Sequence, residues 1–284
     1  TLSSKGSVEN EIFYGYMAHA GQKGKAIAEL RPEYDELAEK QKAGELTEKE
    51  QKRMDKLTKQ MQELNQEVVD YRTNIAEEHA DKFVGKLLGM MSDPVVPESI
   101  PKDDRLAQYL YYKNHYMDVI EFDDPRFLRT PVYQGRLDRL FDKIVTQRPD
   151  SIIKEDDKIL QVAKEDSVMF QYNLVKILNK YIESKIMGMD AVYIHLIQKY
   201  YTQKDLTHWI DDEKRSEMIE RANAMEGTLI GKTAPDFTLV GTDRQFYTLS
   251  NIDADYTILF IYDPSCGHCK KSAPGMVKVA NKYK

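Results

Sequence analysis

The apolar positions near the start of this chain fall into two long stripes. Met54, Leu57, Met61, Leu64, Val68, Tyr71 and Ile75 recur in steps of three and four. Ile27, Leu30, Tyr34 and Leu37 repeat the same steps upstream. Such steps keep side chains on one helix face and form a heptad seam. Gly44 falls between the stripes, and Thr47 with Glu50 has the spacing of a capping box for the second arm. A turn this short forces the arms antiparallel. The pattern therefore predicts a long antiparallel helical hairpin in residues 1–91, its arms lying within 8–91 and its seam including Leu37, Leu57 and Leu64. The Lys/Glu-rich remainder reads as a solvated face, with a docking arm as the functional alternative.

Pro94, Pro97 and Pro101 then interrupt the helices with a loop. Helical periodicity resumes over 103–118, 133–146, 150–163, 166–187, 189–202 and 211–226, with Asp150 and Asp211 as N-caps. Val168, Tyr172, Val175, Leu178 and Ile182 are the predicted core stripe of one of these helices. Residues 92–226 thus read as a helical bundle domain. Beyond 227 the rhythm changes. A hairpin-like stretch runs from Gly241 to Leu249, an apolar run from Tyr256 to Tyr262 reads as a strand, and a helix follows from Lys270 to Tyr283. The fold class is mainly α: a helical hairpin plus a helical bundle, followed by a short α/β segment.

Composition agrees with a helical chain of more than one domain, since charged residues are 31% and only 14 Gly and 10 Pro are spread over 284 positions. A net charge of −6 argues against nucleic acid as a partner. No apolar run reaches the length of a membrane span.

The chemistry concentrates in Cys266-Gly267-His268-Cys269, which holds the only two cysteines of the sequence. Strand, tight turn, CxxC and helix is the order that makes a dithiol redox-active. Cys266 is placed at a helix N-terminus, where unpaired N–H groups and the helix dipole favour a thiolate, the attacking species in disulfide exchange. His268 would add positive charge when protonated and lower the Cys266 pKa further. Cys269, one turn along and expected to be more buried, would be the resolving thiol. Lys270 and Lys271 read as solvated. Zinc would need two more ligands, and the sequence offers no second CxxC or close His pair. A structural disulfide is disfavoured because so short a loop is strained and redox-labile. No metal or cofactor is expected.

A second polar constellation comprises His115, Asp118, Asp123, Asp124, Arg126 and Arg129. It could bind or act on a ligand; the favoured reading is a loop held by Arg–carboxylate pairs. His195 reads as a packed helix histidine rather than a ligand, and Tyr109, Tyr111 and Tyr112 as helix–helix packing with wet hydroxyls.

Two resemblances follow from particular residues. Gly231-Lys232-Thr233-Ala234-Pro235-Asp236-Phe237-Thr238-Leu239, the strand Tyr256–Tyr262, the turn Asp263-Pro264-Ser265, the CGHC motif and Pro274 resemble the TlpA/ResA-like thioredoxins and peroxiredoxins. The residue before the first cysteine departs from that pattern, being Ser265 where Trp is usual. The resemblance implies a thioredoxin-like domain over 227–284, incomplete because the later strands, the crossover helix and the cis-proline loop do not fit before Lys284. Glu9–Met17, His115-Tyr116, Asp124–Tyr133, Met187–Tyr193 and Trp209 resemble a helical domain found ahead of TlpA-like thioredoxins in Bacteroidota envelope proteins. That likeness implies a periplasmic or envelope address, lipid anchoring in the full-length protein, and a missing β-sandwich whose trailing edge would be Thr1.

Two readings of function stay open. In one, the chain carries a thiol–disulfide oxidoreductase fragment with Cys266 attacking and Cys269 resolving. Its partners are protein thiols or disulfides and an unidentified redox partner. Cut short, it is expected to have little activity alone. In the other, the helices form a non-catalytic module that binds a partner or substrate.

Overall fold

The computed structural model describes residues 6–283, so Thr1 and Lys284, on which the expectations about the chain ends rest, lie outside the described residues. The fold is mainly α, and the described residues divide into two compact units between Leu229 and Ile230.

The first unit opens with α1 (Val8–Ala43) and α2 (Glu48–Glu78). Ser7 caps α1 by accepting from the Asn10 N–H. Gly44 ends it at φ 72°, a left-handed conformation that lets its N–H turn back on the last carbonyls. The Thr47 hydroxyl accepts from the Glu50 N–H at 3.3 Å while Glu50 accepts from the Thr47 N–H at 3.0 Å, so the capping box is complete. The hairpin seam is buried at Leu37, Met54 and Leu57 near the turn and at Tyr16 and Ile75 near the open end. Leu64, expected in the seam, is only half-buried.

The second arm does not run on to residue 91. It stops at Glu78, and a separate helix α3 (Phe83–Gly89) folds back against both arms. The reason is local. The backbone doubles back so tightly that a Cβ on Gly85 would lie 2.0 Å from the His79 carbonyl oxygen, and Lys82 donates its N–H to that same oxygen at 2.9 Å. Glu9 supplies a side-chain cap to the incoming helix by accepting the Val84 N–H at 2.9 Å.

The bundle follows. It comprises α4 (Arg105–His115), α5 (Pro131–Arg139) continuing into a π-helical turn (Leu140–Ile144), and α6 (Pro149–Ala163). Next come α7 (Ser167–Ile182), α8 (Asp190–Leu196) with a second π-helical turn (Ile197–Tyr201), and α9 (Asp212–Glu226). Asp211 caps α9 through the Lys214 N–H at 2.7 Å, but α6 begins at Pro149 with Arg148 at the cap position, so Asp150 sits in the first turn instead. One core joins Phe127, Tyr133, Leu140, Phe141, Ile152, Leu160, Leu174 and Val192. The stripe expected along α7 is displaced. Leu178 is buried, but Val168 and Ile182 are exposed; the core face is Met169, Phe170, Leu174, Ile177 and Tyr181. Asn173 sits among them, held by the Tyr133 hydroxyl at 2.7 Å and by the Met169 carbonyl at 2.8 Å. The apolar residues of α7 offer more than one periodic stripe, and the packing of α6 and α8 selects between them.

Buried Arg136 locks the bundle to the segment after α3. It donates to the carbonyls of Met90 (2.7 Å), Ser92 (3.0 Å) and Tyr116 (2.9 Å), with its guanidinium 4.1 Å from the Tyr116 ring centre.

In the second unit, β1 (Thr238–Val240) pairs antiparallel with β2 (Phe246–Thr248) in the register Thr238↔Thr248, Leu239↔Tyr247, Val240↔Phe246. Asp236 anchors the end of this hairpin by accepting the Ser250 N–H at 2.9 Å and hydroxyl at 2.7 Å. The run Tyr256–Tyr262 is not a strand in this structure. A strand exists only where its N–H and C=O groups meet a neighbouring ladder. Among the described residues, β1 and β2 pair with each other and nothing pairs with 256–262. The unit ends in α10 (Gly267–Lys282). Among the described residues, no helix is long and apolar enough to cross a membrane.

Candidate redox site

Cys266 is the N-cap of α10, with φ −74° and ψ 118°. Ahead of it, Asp263-Pro264-Ser265 makes a tight turn in which the Cys266 N–H donates to the Asp263 carbonyl at 3.1 Å. At a cap position the side chain faces the unpaired N–H groups of the first helical turn. Here the Cys266 sulfur accepts from the Cys269 N–H at 3.4 Å. The Cys266 thiol is held below its ordinary value, first by that backbone N–H, then by the Cys269 side chain, then by the His268 backbone N–H. The α10 terminus thus supplies the donors expected to stabilise a thiolate.

Two details bear on the roles expected of His268 and Cys269. What His268 brings to the Cys266 sulfur is its backbone N–H; its imidazole is exposed. Cys266 and Cys269 are both half-buried free thiols. Helix geometry places residue 269 only one turn after residue 266, on the same exposed face. Lys270 and Lys271 are exposed. Pro274 lies inside α10. A cleft of about 840 Å³ runs between Tyr256, Ile258 and Phe260 and the later half of α10 at Met276 and Ala280. It is apolar and lies toward the other end of the helix from the thiols. Among the described residues, no group of three or more His, Cys, Asp or Glu gathers as a metal site.

The second constellation separates into small local pairs. His115 bonds Asp118 through Nδ1 at 2.6 Å and stacks on Tyr111 with ring centres 4.2 Å apart. Asp124 caps the following 3₁₀ turn through the Arg126 N–H at 3.0 Å and grips the Arg126 guanidinium, which holds the carboxyl below its usual range. Arg126 also lies over the Phe83 ring at 4.8 Å. Asp123 and Arg129 are exposed. These contacts fit a loop held by an Arg–carboxylate pair. Tyr109 donates to the Ile144 carbonyl at 2.9 Å, and the Tyr112 hydroxyl accepts from Arg139 at 2.8 Å.

His195 is not a simple packed histidine. It joins a cluster on Asp157, which also accepts from Tyr200 at 2.8 Å and pairs with Lys199 at 2.8 Å. Against the upward push of burial, these partners keep Asp157 below the ordinary carboxyl range. Its neighbour Asp156 has the opposite fate. Asp156 is fully buried, neither oxygen meets a hydrogen-bond donor, and burial pushes its carboxyl well above the usual range, with Asp157 and Glu155 adding to the push. Asp156 falls within the helix predicted over 150–163, and nothing in that pattern singled it out as an acid left alone in the core.

Residues 42–224 match a family model described as Domain of unknown function (DUF5106), and residues 230–284 match one described as AhpC/TSA family. No curated protein matches the chain. Among solved structures, the crystal structure of a thioredoxin-like protein from Bacteroides caccae is similar, with 18% identity and a TM-score of 0.49. The match covers 65% of this chain and 65% of that one, so the chain spans just under two thirds of that relative's length.

Proposed function

Starting from a chain that belongs to the DUF5106 family and carries an AhpC/TSA-type segment behind it, we propose that the CGHC dithiol performs thiol–disulfide exchange with proteins of the cell envelope, in the manner of the TlpA/ResA-like thioredoxins. The observation that carries this reading is the Cys266 sulfur, set against the Cys269 N–H at the head of α10 with its thiol pKa lowered. In the reductive direction, the Cys266 thiolate attacks a substrate disulfide and expels one substrate thiolate, which takes a proton. The Cys269 thiolate then attacks the mixed disulfide, expels the second substrate thiolate, and leaves a Cys266–Cys269 disulfide. Two electrons have passed to the substrate, and the external redox partner returns them. The oxidative direction runs the same steps backwards. An envelope or periplasmic address, with a lipid anchor in the full-length protein, suits this chemistry better than a reducing cytoplasm.

The test is a trap. A Cys269→Ser variant, offered a peptide disulfide, should accumulate a mixed disulfide on Cys266 visible as a mass shift, while Cys266→Ser should form none at Cys269. Equal trapping on either cysteine, or none on both, removes the reading. A second reading, that the helices bind a protein partner without catalysis, rests on an apolar groove of about 560 Å³ along α7, lined by Leu128, Val168, Tyr172 and Val175. A peptide or protein held by the helices with no trapping on either cysteine would favour it.

A further inference from the structure

We propose that Asp263 is the positioning residue for Cys266, an inference that rests on reading Cys266 as the attacking thiol. The argument is a count of backbone donors around the turn. Pro264 has no N–H. The Ser265 N–H goes to the Asp263 carboxylate at 2.8 Å, and the Ser265 hydroxyl goes to the same oxygen at 2.8 Å. The Cys266 N–H goes to the Asp263 backbone carbonyl at 3.1 Å. Every N–H between Asp263 and the thiol is therefore committed to Asp263. The Cys266 sulfur is left to the donors ahead of it, the N–H groups of Cys269 and His268.

This arrangement fixes the cap. With the turn pinned on one side and the Cys266 carbonyl accepting from the Lys270 N–H at 3.1 Å on the other, Cys266 is held in the extended conformation that aims its sulfur at the first helical turn. The Ser265 N–H, then its hydroxyl, then the Cys266 N–H hold the Asp263 carboxyl below its ordinary range, so it stays ionised wherever the thiol titrates. Its negative charge by itself opposes a nearby thiolate. The two effects of Asp263 on Cys266 thus have opposite sign: its hydrogen bonds favour the thiolate by placement, and its charge disfavours it.

That opposition makes the role separable. The measurement is the pH dependence of iodoacetamide alkylation of Cys266 in the full chain carrying Cys269→Ser, so that one thiol reacts. Asp263→Ala, which removes acceptor and charge together, should raise the midpoint and slow alkylation at pH 6 by about three- to tenfold, one pKa unit being tenfold. Asp263→Asn keeps an acceptor oxygen and removes the charge, so its midpoint should stay at the parent value or fall. Ser265→Ala, which keeps the N–H and loses the hydroxyl, should shift the midpoint upward by less than Asp263→Ala. A midpoint for Asp263→Ala at or below that of the parent overturns the proposal, as does an upward shift of equal size in Asp263→Asn. Alkylation does not depend on disulfide exchange. Failure of the cysteine trap with this profile intact would sink the exchange reading alone.

Discussion

Leu57 of the hairpin is fully enclosed, whereas Ile261, in the segment leading to the thiols, is 84% exposed and Tyr256 is 91% exposed. Both regions are rich in apolar side chains, and the difference lies in where their backbone partners come from. A helix satisfies its N–H and C=O groups from within a few residues, so α1, α2 and the bundle need only side-chain packing to bury their apolar faces. A strand takes its partners from elsewhere in the fold. The run 256–262 carries the apolar content of a buried strand without a ladder among the described residues. Yet the dithiol sits in the less enclosed unit, because the lowered thiol pKa depends on one turn and one helix end, both built from local contacts.

The contrast can be broken most sharply by substitution. Leu57→Ala should destabilise the helical unit by about 3–4 kcal/mol, since it empties a fully buried site. Ile261→Ser should change stability by less than about 0.5 kcal/mol. Urea unfolding of both variants measures the difference, and comparable losses would mean that 256–262 is packed in solution.

A smaller effect sharpens the account of the helical interior. Asp156 is faced by Glu155 and Asp157 from its own helix, and its field reaches Tyr181 on α7 and Tyr200 beyond α8. Its carboxyl pKa is raised on folding. The stability it contributes is therefore fully present below the unfolded value of about 4 and is lost as pH rises through the folded pKa. Asp156→Asn should remove that loss, so the variant gains on the parent steadily as pH climbs from 4 toward alkaline values. Thermal unfolding across that range decides it. A constant difference at all pH values would mean that Asp156 titrates normally. A modest loss is expected at the hairpin turn: Thr47→Ala should cost about 1 kcal/mol through loss of the reciprocal cap, read from urea unfolding curves.

Several elements were legible in the sequence because their determinants are close neighbours. Gly44, Thr47 and Glu50 mark the hairpin turn within seven positions. Cys266 and its helix were legible for the same reason. The break between α2 and α3 was not, because Gly85 acts by letting one segment approach the His79 carbonyl, a contact that no periodicity encodes. Val168 and Ile182 fitted a helical stripe as well as Met169 and Phe170 do, and only the neighbours of α7 choose between them. Arg136 and Asp156 are polar residues in an apolar core. The partners of Arg136 lie 20 to 46 positions away, and Asp156 has none. The turn Asp263-Pro264-Ser265 was legible as part of the family resemblance, but the hydrogen bonds of the Asp263 carboxylate to Ser265 were not.

The short helix α3 has two working faces. Val84 and Leu88 join the hairpin, while Phe83 and Leu87 pack against the bundle core and Phe83 stacks on Phe127 with ring centres 5.0 Å apart. At about 1.5 Å per residue, the 36 residues of α1 make an arm about 54 Å long. Such an arm is a lever with its fulcrum at one end. At its base the paired arms meet the seven residues of α3, and just beyond α3 Arg136 holds the carbonyls of Met90 and Ser92. The joint has little slack, because Gly85 already touches the backbone it turns against. The same guanidinium also holds the Tyr116 carbonyl, so the segment that carries α3 and the segment after α4 are tied to one side chain.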